Sequence, residues 1–266
     1  MTSSSPLLVD ASGPVLVATI NRPESHNALN SEVLEQIQDV VHDAERDGGV
    51  RAVVVTGSGD RAFSAGADLR ELAGMTPDEA YAVIARGQAA MRTIERATIP
   101  VITAVNGLAL GGGMELALAA TFPVLSERAT LALPESGLGL IPGYGGTQRL
   151  PRAIGERVAA YLMLTGSRIG ALRAYELGMT PVPPVAPELL LASAIEIAGQ
   201  IAAKGPAATR SILRAIEFGR DATLDSGLEL EAGLAALAIA GTESDEGIDA
   251  YLGRRTPNFG GTDGAL

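Results

Sequence analysis

Apolar positions along this chain follow two rhythms. Short unbroken runs rich in β-branched residues read as strands: "VLVATI" (15–20), "RAVVVTG" (51–57) and "IPVITAVNG" (99–107). Between the first two, Val33, Leu34, Ile37, Val40 and Val41 recur at helical spacing. They predict a helix over about 31–46, with Asn30 or Ser31 as its cap. Residues 78–96 read as a second helix, and "SGDRAFSAGADLREL" (58–72) as a loop turning into helix. This strand–helix alternation predicts crossover connections and a largely parallel sheet. "LGGG" then breaks a strand, "MELALAA" reads as a buried helix, and 123–135 as short strands. From about 152 to 253 the rhythm is helical, interrupted by "PVPPVAP" (181–187). No internal repeat is visible. The expectation is an α/β core with a helical C-terminal part.

Composition narrows the chemistry. The chain has 266 residues and no cysteine, so disulfides, thiolate metal sites and cysteine nucleophiles are excluded. A formal net charge of −11, with Lys204 the only lysine, disfavours nucleic acid and anionic membranes as partners. The start "MTSSSPLLVDASGPVLVATI" lacks a basic n-region and a membrane-length apolar segment, and "GGTDGAL" at the end carries no targeting signal. His26 and His42 lack ligand spacing, so no metal site is expected.

Three stretches carry candidate chemistry. In "GLALGGGMELALAAT" (107–121), Glu115 is the only charged residue between Arg96 and Glu127 and follows a glycine triplet. The glycines fit a tight turn; they also fit a helix N-terminus whose free N–H groups face an anion. "AFSAGADL" (62–69) offers small residues beyond another strand, with Asp68 able to cap a helix. Two such loops could converge their amides on one oxygen, as an oxyanion hole does. "LPESGLGLIPGYGGTQRL" (133–150) holds a second acid, Glu135, readable as a loop cap or as the partner of Glu115 in dividing acid and base duties.

Taken together and in order, "NRPESHNALN", "AFSAGADL", "PVITAVNGLALGGGMEL", "LPESGLGLIPGYGGTQRLPRAIG" and "GTESDEGIDAYLGRRTPNFGG" closely resemble the enoyl-CoA hydratase/isomerase (crotonase) family over nearly the whole chain. The resemblance implies a crotonase-like ββα spiral core over 1–195 carrying a CoA-thioester site. It implies a helical oligomerisation region over 196–266 that builds trimers or dimers of trimers. It implies an oxyanion hole from the backbone of Ala67 and Gly112, and Glu115 and Glu135 as the acid–base pair. Contacts to CoA or substrate are expected from Ala28, Ala65, Asp68, Leu69, Pro134 and Tyr144. Arg254, Arg255 and Phe259 are expected to approach the CoA of the same or a neighbouring chain.

The implied activity is hydration of a 2-enoyl-CoA to a 3-hydroxyacyl-CoA, as in fatty-acid β-oxidation. It proceeds in the cytoplasm without a separate cofactor, coenzyme A being part of the substrate. Two alternatives stand beside it: another crotonase-type reaction such as enoyl-CoA isomerisation or carnitinyl-CoA-like dehydration, and a non-catalytic CoA-thioester- or RNA-binding homologue. The chain departs from the family pattern at Phe122–Pro123, where many relatives have an aspartate, and at Ala132, often a glycine. It departs again at Tyr144, commonly alanine; a tyrosine there shortens or reshapes the acyl pocket, or simply packs.

Overall fold

The run 52–57 forms a strand buried at every position, because both of its faces are covered. In the computed structural model, which describes residues 5–260, β1 (Leu7–Ser12), β2 (Val15–Ile20), β3 (Ala52–Gly57), β5 (Val101–Val105) and β7 (Phe122–Leu125) form one sheet in that order. All but β1 run parallel. One face, with Ala18, Val53, Val55 and Val105, packs on α1 (Ser31–Arg46) and α3 (Pro77–Glu95) and on the second sheet. The other face, with Val17, Val54, Ile102 and Val124, is covered by Leu190, Ala194 and Ala198 of α8 (Leu190–Ala202). Burial on both faces explains the unbroken apolar runs. Most of "GGTDGAL" falls outside the described residues.

A second sheet sets short strands β4 (Ala62–Ser64), β6 (Leu108–Leu110) and β8 (Thr130–Ala132) parallel, with β9 (Ile169–Gly170) antiparallel at its edge. The chain therefore winds as a spiral. β3 leads to β4 and then to α2 (Leu69–Leu72) and α3; β5 leads to β6 and α4 (Gly112–Ala119); β7 leads to β8 and α5 (Gly146–Ile154). Each round gives one strand to each sheet and then turns into helix. This is a repeat of geometry with no repeat of residues. Asn27 braces its first round: the Asn27 Nδ2 donates to the carbonyls of Ser58 and Ala62 at 2.9 and 2.8 Å.

α1 starts at Asn30, whose side chain accepts from the Val33 N–H. Residues 62–64, read as loop, are instead β4; three residues are too few to show a period. The expected boundary at 195/196 falls inside α8, which belongs to the core because its small and apolar face covers the large sheet. α6 (Glu156–Thr165) and α7 (Ala171–Glu176) complete the core side. Beyond it come α9 (Pro206–Gly219), α10 (Leu224–Ile239) and α11 (Thr242–Leu252); α9 and α10 bury none of their residues within the chain. Ile212, Ile216, Leu237 and Ile239 are exposed there. None of the helices among the described residues is long and apolar enough to cross a membrane.

Candidate active site

Gly111 ends β6 with φ 51° and ψ −124°, a backbone region open to glycine, and delivers the chain into α4. Gly112 is the first residue of that helix, so its N–H has no partner within it. The "AGA" loop presses against this turn: Gly66, at φ 100°, is so close that a methyl group on it would lie 2.6 Å from the Leu110 carbonyl oxygen and 3.1 Å from the Gly112 nitrogen. A methyl at Gly112 would in turn lie 3.2 Å from the Ala67 nitrogen. Ala67 pairs with Leu29 through its neighbours, since Leu29 N–H donates to the Gly66 carbonyl and Asp68 N–H to that of Leu29. This parallel pairing turns Ala67's own N–H away from the bridge. The two amides expected from the resemblance thus stand side by side.

Glu115 lies one turn into α4 and is 2% exposed. Its Oε1 accepts from the N–H groups of Tyr144 and Gly146 at 2.8 and 2.7 Å. Gly146 opens α5, so the positive ends of two helices meet on one carboxylate. Burial pushes the Glu115 pKa up to about 7; the Gly146 amide pulls against burial, the charge of Glu135 adds to it, and the Tyr144 amide opposes it. Glu135 opens the 3-10 turn Glu135–Leu138 after β8. Its Oε1 faces Gly111, where a methyl group would stand 2.9 Å away. Its Oε2 is buried without a hydrogen-bond partner. Burial raises the Glu135 pKa as well, against its own backbone amide. Two carboxyls whose pKa values burial raises therefore flank the Ala67 and Gly112 amides, a layout that can add or remove protons beside a carbonyl whose oxygen those two amides hold.

A family model described as "Enoyl-CoA hydratase/isomerase" matches residues 10–262. The chain belongs to the enoyl-CoA hydratase/isomerase family. It is 40% identical to a crotonyl-CoA hydratase of Syntrophomonas wolfei over 95% of this chain and 97% of that one. It is 36% identical to a short-chain-enoyl-CoA hydratase of Clostridium acetobutylicum over 94% and 95%. The crystal structure of an enoyl-CoA hydratase from Bacillus anthracis superposes with a TM-score of 0.92 at 40% identity, covering 97% of this chain and all of that one.

The other expected contact residues of this hydratase/isomerase-family chain divide in two. Ala65 and Leu69 are exposed beside the Ala67 loop. Ala28 and Asp68 are buried and already engaged. The Ala28 carbonyl accepts from Arg22 Nη1 at 2.7 Å. Asp68 caps α2 and pairs with Arg70 and Arg22. Hydrogen bonds from Arg70, resisted by burial and joined by those from Arg22, hold its carboxyl well below the usual range. Its side chain braces the loop, leaving only backbone to offer a ligand. Pro134 precedes Glu135 directly and is partly buried. Tyr144 is buried against Gly112.

Arg255 pairs with Glu246, and the Phe259 carbonyl accepts from Arg51 at the entry to β3. Arg254 follows α11 in a left-handed turn. This tail is thus anchored at the N-terminal end of β3, whereas the Ala67 and Gly112 turns follow the C-terminal ends of their strands. His26 closes a turn in the left-handed region and His42 is exposed on α1. Among the described residues no group of His, Asp and Glu is placed to hold a metal ion.

Arg149 has a role that its sequence position gave no sign of. It reaches Glu95 through Nε and Nη2 and donates from Nη1 to the Tyr144 carbonyl at 2.9 Å, so it holds the loop whose amides hold Glu115. Glu95 is half-buried, which raises its pKa, but hydrogen bonds and charge from Arg149, with Arg92 and Arg220, bring it down to about 2. Arg149 and Glu95 lie 54 residues apart, and only the fold brings them together.

Proposed function

We propose that the protein hydrates 2-enoyl-CoA thioesters to 3-hydroxyacyl-CoA. The supporting observation is the pairing of two carboxylates, Glu115 and Glu135, around the open amides of Ala67 and Gly112. In this reading the thioester oxygen accepts from both amides. Glu115 takes a proton from a water whose oxygen bonds to the β-carbon. The π electrons move to the thioester oxygen as an enolate, and the enolate collapses as Glu135 delivers a proton to the α-carbon. H and OH have then been added across the double bond, and a proton exchanged with solvent resets the pair. Each amide supports the enolate by about 3 kcal/mol. Ala28, Ala65, Asp68 and Leu69 flank the CoA moiety mainly through backbone, with no further cofactor. The exposed apolar face of α9 to α11 joins copies of the chain into a trimer or a dimer of trimers. The cytoplasm is the location that goes with this reading.

Crotonyl-CoA mixed with the purified protein should lose its conjugated-enoyl absorbance, and Glu135→Gln should abolish most of that loss. A folded protein that binds acyl-CoA yet leaves the absorbance of every straight-chain enoyl-CoA unchanged would move the activity to isomerisation or another thioester reaction.

A further inference from the structure

The feature of this site that the reaction does not use is the side chain of Tyr144. Its backbone N–H serves Glu115, but its ring goes elsewhere. One edge lies on the oxyanion turn: a methyl group at Gly112 would stand 3.1 Å from Tyr144 Cδ2 and 3.2 Å from Cε2. The opposite edge fills a notch in α3, where a methyl group at Gly87 would overlap Cδ1 and Cε1. Gly87 is buried in the middle of a nineteen-residue helix, where glycine costs about 1 kcal/mol against alanine. Contact with the ring gives that glycine a reason. The ring therefore spans the whole gap between α3 and the turn that carries Gly112.

The loop bearing the ring is held at two points. Gln88 Nε2 donates to the Gly143 carbonyl at 2.9 Å, and Arg149 Nη1 to the Tyr144 carbonyl. Tyr144 and Gly145 also line an open cavity of about 250 Å³ whose other walls are polar and charged groups including Arg92, Glu95 and Gln148. So polar a lining offers methylene groups no gain. Burial, reinforced by the charge of Glu115, pushes the phenol pKa up to about 12, so the wall is neutral and apolar toward the site at working pH.

We propose that Tyr144, seated in the notch left by Gly87, ends the acyl pocket and restricts this protein to short acyl chains. An acyl group whose carbonyl oxygen lies between Ala67 and Gly112, and whose β-carbon faces Glu115, has the phenol ring directly in its path. This proposal rests on the hydratase reading and adds the substrate class to it.

The test is the ratio of kcat/KM for trans-2-octenoyl-CoA to that for crotonyl-CoA. The wild type should favour crotonyl-CoA by at least about tenfold, one ill-fitting methylene alone being worth that much. Tyr144→Ala frees a volume close to four methylenes and should move the ratio toward octenoyl-CoA by at least about tenfold. Tyr144→Phe keeps the wall and should leave the ratio in place. Gly87→Ala should push the ring into the site and lower crotonyl-CoA turnover, and adding Tyr144→Ala to it should recover turnover. Should Tyr144→Ala fail to fold, Tyr144→Leu and the Gly87→Ala pair carry the same comparison. A wild type that hydrates both substrates alike, or a ratio unmoved by loss of the ring, overturns the wall and leaves hydration standing. A wild type that hydrates neither while binding both overturns the hydratase reading itself.

Discussion

Two neighbouring regions of the spiral each carry one carboxyl, and they treat it in opposite ways. Around Glu115, helix α4 buries the side chain almost completely, and the loop into α5 aims two amides at one of its oxygens. Around Glu135, a single 3-10 turn leaves the side chain half-buried, with Oε2 enclosed and unpartnered. A buried polar atom without a partner is rare in a folded protein and calls for a use. The difference teaches that one carboxyl is fixed by the architecture, while the other keeps an oxygen with no partner in the fold. Orientation is built in at Glu115, and the capacity to make a new bond is built in at Glu135.

The largest effect that can sharpen this contrast is on turnover. Each of Glu115→Gln and Glu135→Gln should lower kcat on crotonyl-CoA by about a hundred- to ten-thousandfold, the range for a positioned acid or base. The double variant should cost little more than the worse single one, because groups acting as a unit are not additive. Steady-state kinetics on the three variants checks this. Losses that multiply would mean that the two carboxyls contribute independently to one transition state, against the stepwise route through an enolate.

The two regions were not equally legible in the sequence. Glu115 announced itself as a lone charge in an apolar run after three glycines, and Asn30 as the cap of an amphipathic helix, because both break or begin a periodic pattern. Motif order then carried Ala67, Gly112 and Glu135. What holds Glu115 stayed hidden, because the amides of Tyr144 and Gly146 are backbone groups with no side-chain signature. The three-residue strands β4 and β6 exist only as rungs of a spiral that must close first. β1 is exposed at five of its six positions and shows no alternation. Gly87 looks like a flaw in a helical pattern until the ring of Tyr144, 57 residues away, is placed against it. The apolar positions of α9 and α10 read as helix in the sequence, but their spacing gives no sign that Ile212, Ile216, Leu237 and Ile239 stay uncovered within the chain.

The next effect is on stability and depends on pH. The Glu115 pKa rises from 4.5 to about 7 on folding. Below 4.5 its carboxyl is protonated in both states and contributes nothing to the pH dependence. Between 4.5 and 7 the unfolded chain releases the proton while the folded one keeps it, so stability falls as pH rises. Above 7 the loss is complete, at about 3 kcal/mol for this group. Glu115→Gln removes the titration. Urea midpoints of the two proteins should therefore diverge from about pH 5 to about pH 8, the wild type losing ground. Parallel curves would mean that the two amides cancel the burial.

The smallest effect belongs to Glu135. Glu135→Ala removes an oxygen that has no partner and a carboxyl whose ionised form burial disfavours. Oε2 makes no hydrogen bond and burial disfavours the ionised carboxyl, so at pH 8 the variant should be at least as stable as the wild type. The sign follows from the same bookkeeping: a raised pKa makes the charged form a burden above the ordinary carboxyl range, and alanine lifts it. A thermal melt that rises or holds while crotonyl-CoA turnover collapses would separate a group kept for chemistry from one kept for the fold. A melting temperature that drops by several degrees would mean that the Glu135 carboxyl supports the fold as well.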